Sequence, residues 1–187
     1  MTDKDSLEEM RQLWLRVMKE VFQTSDEDQG AALAALDRFI DQSDVPPELR
    51  NDALGLRGHL RLDAGDYSGA RADLLLAHTL APVGYQRYVH ELSLAGVCHA
   101  ERNPSEALTW YRSALQTCLD ADGVSGGTAL KNVVALVGGD ISQEDMALCR
   151  AAIARSWGVL GLPGEAADHD LAAAITKIKA EETRPRS

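Results

Sequence analysis

Apolar residues recur at steps of three and four through long segments of this chain, and clusters of Gly, Pro and Asp separate those segments. Met10, Trp14, Val17, Met18 and Val21 are the first such set. This spacing puts apolar side chains on one face of a helix, whereas a half-buried strand needs strict alternation. Short alternating β-branched runs bounded by turns are missing from the sequence, so the chain reads as all-α.

The breaks divide the chain into helix pairs. A first helix is expected from Ser6 to Phe22, with Ser6 and Glu9 as a capping box, and a second from Ala31 to Ile40, stopped before Pro46 and Pro47. A third runs from Glu48 to Ala64, and Gly65 and Asp66 turn the chain into a fourth from Tyr67 to Leu80. Pro82 and Gly84 end that helix. The fifth spans Tyr85 to Glu101; Asn103 then suits an N-cap and Pro104 a first helical position, opening a sixth helix that reaches Leu119.

Between Asp120 and Gln143 the composition changes. Gly123, Gly126, Gly127, Gly138 and Gly139 enclose a short apolar segment, Thr128 to Val137, read as an insertion that holds one short helix, which needs a surface to bury against: either the helical domain itself, the favoured outcome, or a partner. Helices resume at Glu144, break at Gly161, Leu162 and Pro163, and continue to Ala180 before a polar tail. The expected organisation is a single helical-repeat domain over residues 1–187. It comprises an N-terminal pair (1–47), two pairs (48–119), the insertion (120–143), a C-terminal pair (144–180) and a tail (181–187).

Composition narrows the class of partner. The 19 Lys and Arg against 29 Asp and Glu give a formal net charge of -10, which works against nucleic acid, since phosphate affinity comes from clustered basic residues. Cys98, Cys118 and Cys149 are widely spaced and form no C-x-x-C pair, so neither a disulfide framework nor a zinc site is expected. The first residues lack the basic start and apolar run of a secretory signal, and no stretch approaches the ~18 apolar residues of a membrane span. The expectation is a cytoplasmic protein with no membrane partner.

The helix pairs carry a repeated pattern. In Asn51 to Gly84, Leu54 takes a large apolar position and Gly58 a small one in the first helix. Gly65, Asp66 and Tyr67 form the turn, and Ala70, Leu74, Ala77 and Pro82 follow in the second helix. Small residues are needed where two helices cross closely. A second copy has Leu94 and Ala95, then Asn103, Pro104, Ala107, Tyr111 and Ala114, lying 37 residues on from Ala70 to Ala107. A weaker third copy has Ile153, Ala154 and Trp157, then Gly161, Pro163, Ala166 and Ala173, with Asp170 in a place where an aromatic or Leu belongs.

On these residues the chain resembles the tetratricopeptide-repeat family. Arg57 and Arg61 depart from the pattern, standing where apolar or aromatic residues are expected. The resemblance implies antiparallel helix pairs stacked as a short α-solenoid, with the first helix of each pair lining a concave groove for an extended peptide or a partner helix. It implies a partner-binding face of Asp52, Gly55, His59 and Asp63 in the first copy, Leu92, Gly96 and His99 in the second, and Arg155 in the third. Members that clamp the C-terminal carboxylate of cytosolic chaperones use Lys and Asn on this face. The matching places here hold Gly55, His59, Leu92, Gly96, Ala151 and Arg155, which suit a helix or apolar peptide better.

Motifs for catalysis are weak. Gly123, Val124, Ser125, Gly126 and Gly127 satisfy G-x-S-x-G, but no strand precedes Ser125 to build a nucleophile elbow. His90, Glu91, Cys98 and His99 share one helix without the three- or four-residue spacing that metal ligands on one face require. Trp14, Trp110 and Trp157 read as core residues, with Trp110 the one that could face outward. The reading is a non-enzymatic protein-interaction module, an adaptor or dedicated chaperone, with no cofactor and no metal. A self-assembling structural subunit and an enzyme with a site in the 120–143 insertion stand as the alternatives.

Overall fold

The structure is a computed structural model, and it describes residues 3–23, 29–121, 127–136 and 142–159, together with Ala173 and Thr176. Among the described residues every regular element is a helix: α1 (Asp3–Gln23), α2 (Gln29–Ile40), α3 (Pro47–Asp63), α4 (Tyr67–Leu80), α5 (Tyr85–Ala100), α6 (Pro104–Asp120), α7 (Gly127–Leu136) and α8 (Gln143–Val159). The described residues are all-helical, and helices pack on their sequence neighbours within α1–α4 and within α5–α8. Apart from Ala173 and Thr176, the second helix of the expected C-terminal pair lies outside the described residues, as does Ser125.

Contacts gather into two compact units, Met1–Ala81 and Pro82–Ser187. In the first unit α1 packs on α2, α2 on α3 and α3 on α4; in the second α6 packs on α5, α7 and α8. Helix α1 starts at Asp3, three residues before the expected Ser6, so Ser6 lies inside the helix and is not its cap. Asp3 and Asp5 are acidic residues at a helix N-terminus, where the macrodipole favours negative charge.

The core of the first unit is built from the faces that periodicity marks. Met10, Val17 and Val21 of α1 meet Ala32, Ala35, Leu36 and Phe39 of α2 and Ala53 of α3, and the Trp14 and Phe39 rings sit 5.1 Å apart. The α3–α4 crossing depends on Gly58, where a Cβ would come within 2.8 Å of the Leu74 Cγ, and on fully buried Ala70. These two small residues let the helices approach closely enough to bury Leu54 and Leu74 completely.

The core of the second unit contains Tyr88, Ala95, Cys98, Ala107, Tyr111, Ala114, Leu115, Cys118, Cys149 and Ala152. Ala129 and Val133 of α7 are fully buried in the same cluster. The short helix between the glycines therefore packs on its own unit. Tyr88 adds hydrogen bonds with Thr128 and Ala129 to that contact. Trp110 is half-buried against this core and does not face freely outward.

The two hairpins α3–α4 and α5–α6 turn in the same way. The Asp66 N–H donates to the Arg61 carbonyl at 2.8 Å and the Gly65 N–H to the Leu62 carbonyl at 3.0 Å. In the second hairpin, 37 positions later, the Asn103 N–H donates to Cys98 at 2.8 Å and the Arg102 N–H to His99 at 2.9 Å. Both are Schellman turns, which need a left-handed residue just past the helix. Gly65 has φ 80° and Arg102 has φ 59°. The next residue caps the following helix: Asp66 Oδ1 accepts from the Gly69 N–H at 3.0 Å, and Asn103 Oδ1 from the Glu106 N–H at 3.3 Å.

Candidate binding faces

Along α3, the expected binding residues follow one another at steps of three and four, but their exposure differs. Asp63 is exposed, Asp52 and His59 are half-buried, and Gly55 is buried, so Gly55 is part of the packing and offers no open surface. Burial pushes the Asp52 carboxyl above its ordinary value. It also holds the His59 imidazole below its own, against the opposing pull of the Asp63 carboxylate. This stretch of α3 is thus a partly desolvated strip with one acid at each end.

On α5 the corresponding strip is more apolar. Leu92 is half-buried and packs on the core of the second unit, and Gly96 is half-buried. His99 is exposed with its ring 5.8 Å from that of Tyr111, tilted by 52°. Arg155 does not extend this strip. It lies on α8, where its Nε donates to the Ala121 carbonyl at 3.3 Å and so serves the C-terminal end of α6.

Arg57 and Arg61, the two departures from the repeat pattern, have a packing reason. Asp73 of α4 is buried, with 4% of its surface exposed. It accepts from Arg57 Nε at 2.9 Å and Nη2 at 2.6 Å, and from Arg61 Nη1 at 2.8 Å. Arg57 Nη1 also donates to Asp37 of α2 at 2.6 Å. The hydrogen bond to Asp73, followed by the one to Asp37, raises the Arg57 pKa further. The network ties α2, α3 and α4 at one register; a charged pair this well hydrogen-bonded can occupy an apolar position.

The second unit carries two similar devices. Arg112 of α6 grips Asp145 of α8 with Nε at 2.6 Å and Nη2 at 2.7 Å, and Ser142 Oγ accepts from the Asp145 N–H at 3.0 Å as the N-cap of α8. The Arg112 guanidinium holds the Asp145 carboxyl below its ordinary value. Ser113 Oγ donates to buried Glu91 at 2.7 Å, joining α6 to α5. In this way Glu91 is engaged in packing; His90 and Cys98 are also buried, and His99 is exposed. Among the described residues no three His, Cys, Asp or Glu side chains gather to hold a metal. Burial pushes the Cys118 and Cys149 thiols up to about 11, which keeps them protonated.

One surface was missed by reading a single apolar face on α1. Leu7, Leu15 and Phe22 are exposed by 36%, 59% and 71%, on a stripe beside the buried face of Met10, Val17 and Val21. Their spacing of eight and seven is the signal that a second stripe exists. Among the described residues no helix is long and apolar enough to cross a membrane. Comparison of the chain with protein-family models, with curated proteins and with solved structures finds no match in any of the three.

Proposed function

We propose that the chain is a protein-interaction module, an adaptor or dedicated chaperone of tetratricopeptide-like build, that holds a peptide or helix of another protein. The observation that supports the reading is the recurrence of one hairpin turn, with the same hydrogen bonds and the same capping, 37 positions apart in α3–α4 and α5–α6. A repeat of this kind presents its first helices in sequence as a binding surface. In this reading Asp52, His59 and Asp63 contribute an acidic strip on α3, and Leu92, Gly96 and His99 an apolar one on α5. A segment with a basic flank suits the α3 strip of the first unit, and one with an apolar face suits the α5 strip of the second.

Affinity capture with the whole chain, followed by mass spectrometry, tests this. A protein captured by the wild type and lost on the pair of changes His59→Glu and His99→Glu, with helicity unchanged, supports the proposal. Capture that is indifferent to both substitutions contradicts it.

A further inference from the structure

Helix α1 carries more apolar surface than its own unit covers. At 100° per residue, Leu7, Leu15 and Phe22 fall within about 80° of one another, roughly 100° around the helix from the buried Met10, Val17 and Val21. Half-buried Met18 and exposed Arg11 lie inside the same arc. An aliphatic and an aromatic side chain exposed by 59% and 71% on one stripe are more than the scattered apolar residues of an ordinary surface.

We propose that α1 pairs with α1 of a second copy of this chain, antiparallel and about a two-fold axis near Leu15. The charges select this occupant. Asp3, Asp5, Glu8 and Glu9 against Lys4 and Arg11 leave the first half of α1 at −2, and Arg16 and Lys19 against Glu20 leave the second half at +1. An antiparallel pair sets the acidic half of each copy against the basic half of the other; a parallel pair sets like against like. The helix as a whole carries only −1 of the chain's formal -10, so pairing it brings little net charge together.

Apolar register agrees with charge. Placing Leu7 opposite Phe22 of the other copy brings the two Leu15 side chains together near the axis and sets the stem of Arg11 over Met18. Exposed Glu8 then lies ~3 Å along the axis from the position facing Lys19, within reach of its ammonium, and the symmetry makes this contact twice. One helix pair buries less than the roughly 1,000 Å² of a permanent interface, so the dimer is weak and concentration-dependent.

Sedimentation equilibrium of the full chain, from about 5 μM to about 500 μM, tests the pairing. The expected result is a reversible monomer–dimer equilibrium that Leu15→Glu and Phe22→Glu each weaken at least about tenfold without loss of helicity. Glu8→Lys weakens it, and adding Lys19→Glu restores it. Under oxidation Leu15→Cys links to itself, Leu7→Cys does not, and a mixture of Leu7→Cys with Phe22→Cys gives the crossed dimer. A chain that stays monomeric throughout overturns the proposal, whether Leu15→Cys is open to thiol reagents or shielded by the chain's own C-terminal segment or another protein. A dimer indifferent to the stripe, or Leu7→Cys linking to itself, does so too.

Discussion

Arg57 and Asp73, sixteen residues apart on facing helices, meet through two parallel hydrogen bonds of 2.9 and 2.6 Å in which the guanidinium spans both carboxylate oxygens. Asp73 is the buried partner, so removing its carboxylate leaves Arg57 and Arg61 facing a site without its anion. Asp73→Ala is expected to destabilise the first unit by about 3–5 kcal/mol. The double change Arg57→Met with Asp73→Leu is expected to recover part of that loss, because apolar residues of similar volume need no counter-charge. Denaturant midpoints of the wild type and the two variants check both outcomes.

The repeated turn supplies an internal control. Gly65 and Arg102 hold the same left-handed position in the two hairpins, and an L side chain is strained there. Gly65→Ala should destabilise by about 1 kcal/mol, and Arg102→Gly should stabilise by about 0.5–1 kcal/mol. Thermal melts of the two variants should shift in opposite directions.

Local signals made much of this fold legible in the sequence. Turn chemistry at Gly65–Asp66 and Asn103–Pro104 marks the hairpins because a left-handed residue and an N-cap are fixed by neighbours a few positions away. The Gly58 and Ala70 crossing was equally readable, since a close approach demands small residues. Arg57 and Arg61 could be seen only as departures, because the residue that explains them, Asp73, is reached across a helix crossing. The same is true of Arg155, whose contact with the Ala121 carbonyl spans 34 residues. Gly55 was expected on an open face because periodicity gives a side of the helix but not what covers it.

The Arg112–Asp145 pair makes stability pH-dependent. The folded carboxyl is held below its ordinary value by Arg112, so at low pH the unfolded state takes up a proton first. The stabilisation is complete above the ordinary carboxylate range near ~3.9 and is lost as pH falls through the lower folded value. Arg112→Gln should therefore lower stability at neutral pH and matter progressively less as pH falls below about 4. Urea titrations of wild type and variant across that range measure the difference.

The central claim, that α3 and α5 hold a partner protein, is tested most directly by site-specific photocrosslinking in cells. A photoreactive residue is placed in turn at His59, Asp63 and His99, and at the exposed control positions Ala72 on α4 and Gln116 on α6. The account predicts a crosslinked protein from His59 and Asp63 in the first unit and from His99 in the second, and none from Ala72 or Gln116. Crosslinks to a common partner from Ala72 and Gln116, with none from the α3 and α5 positions, would contradict it.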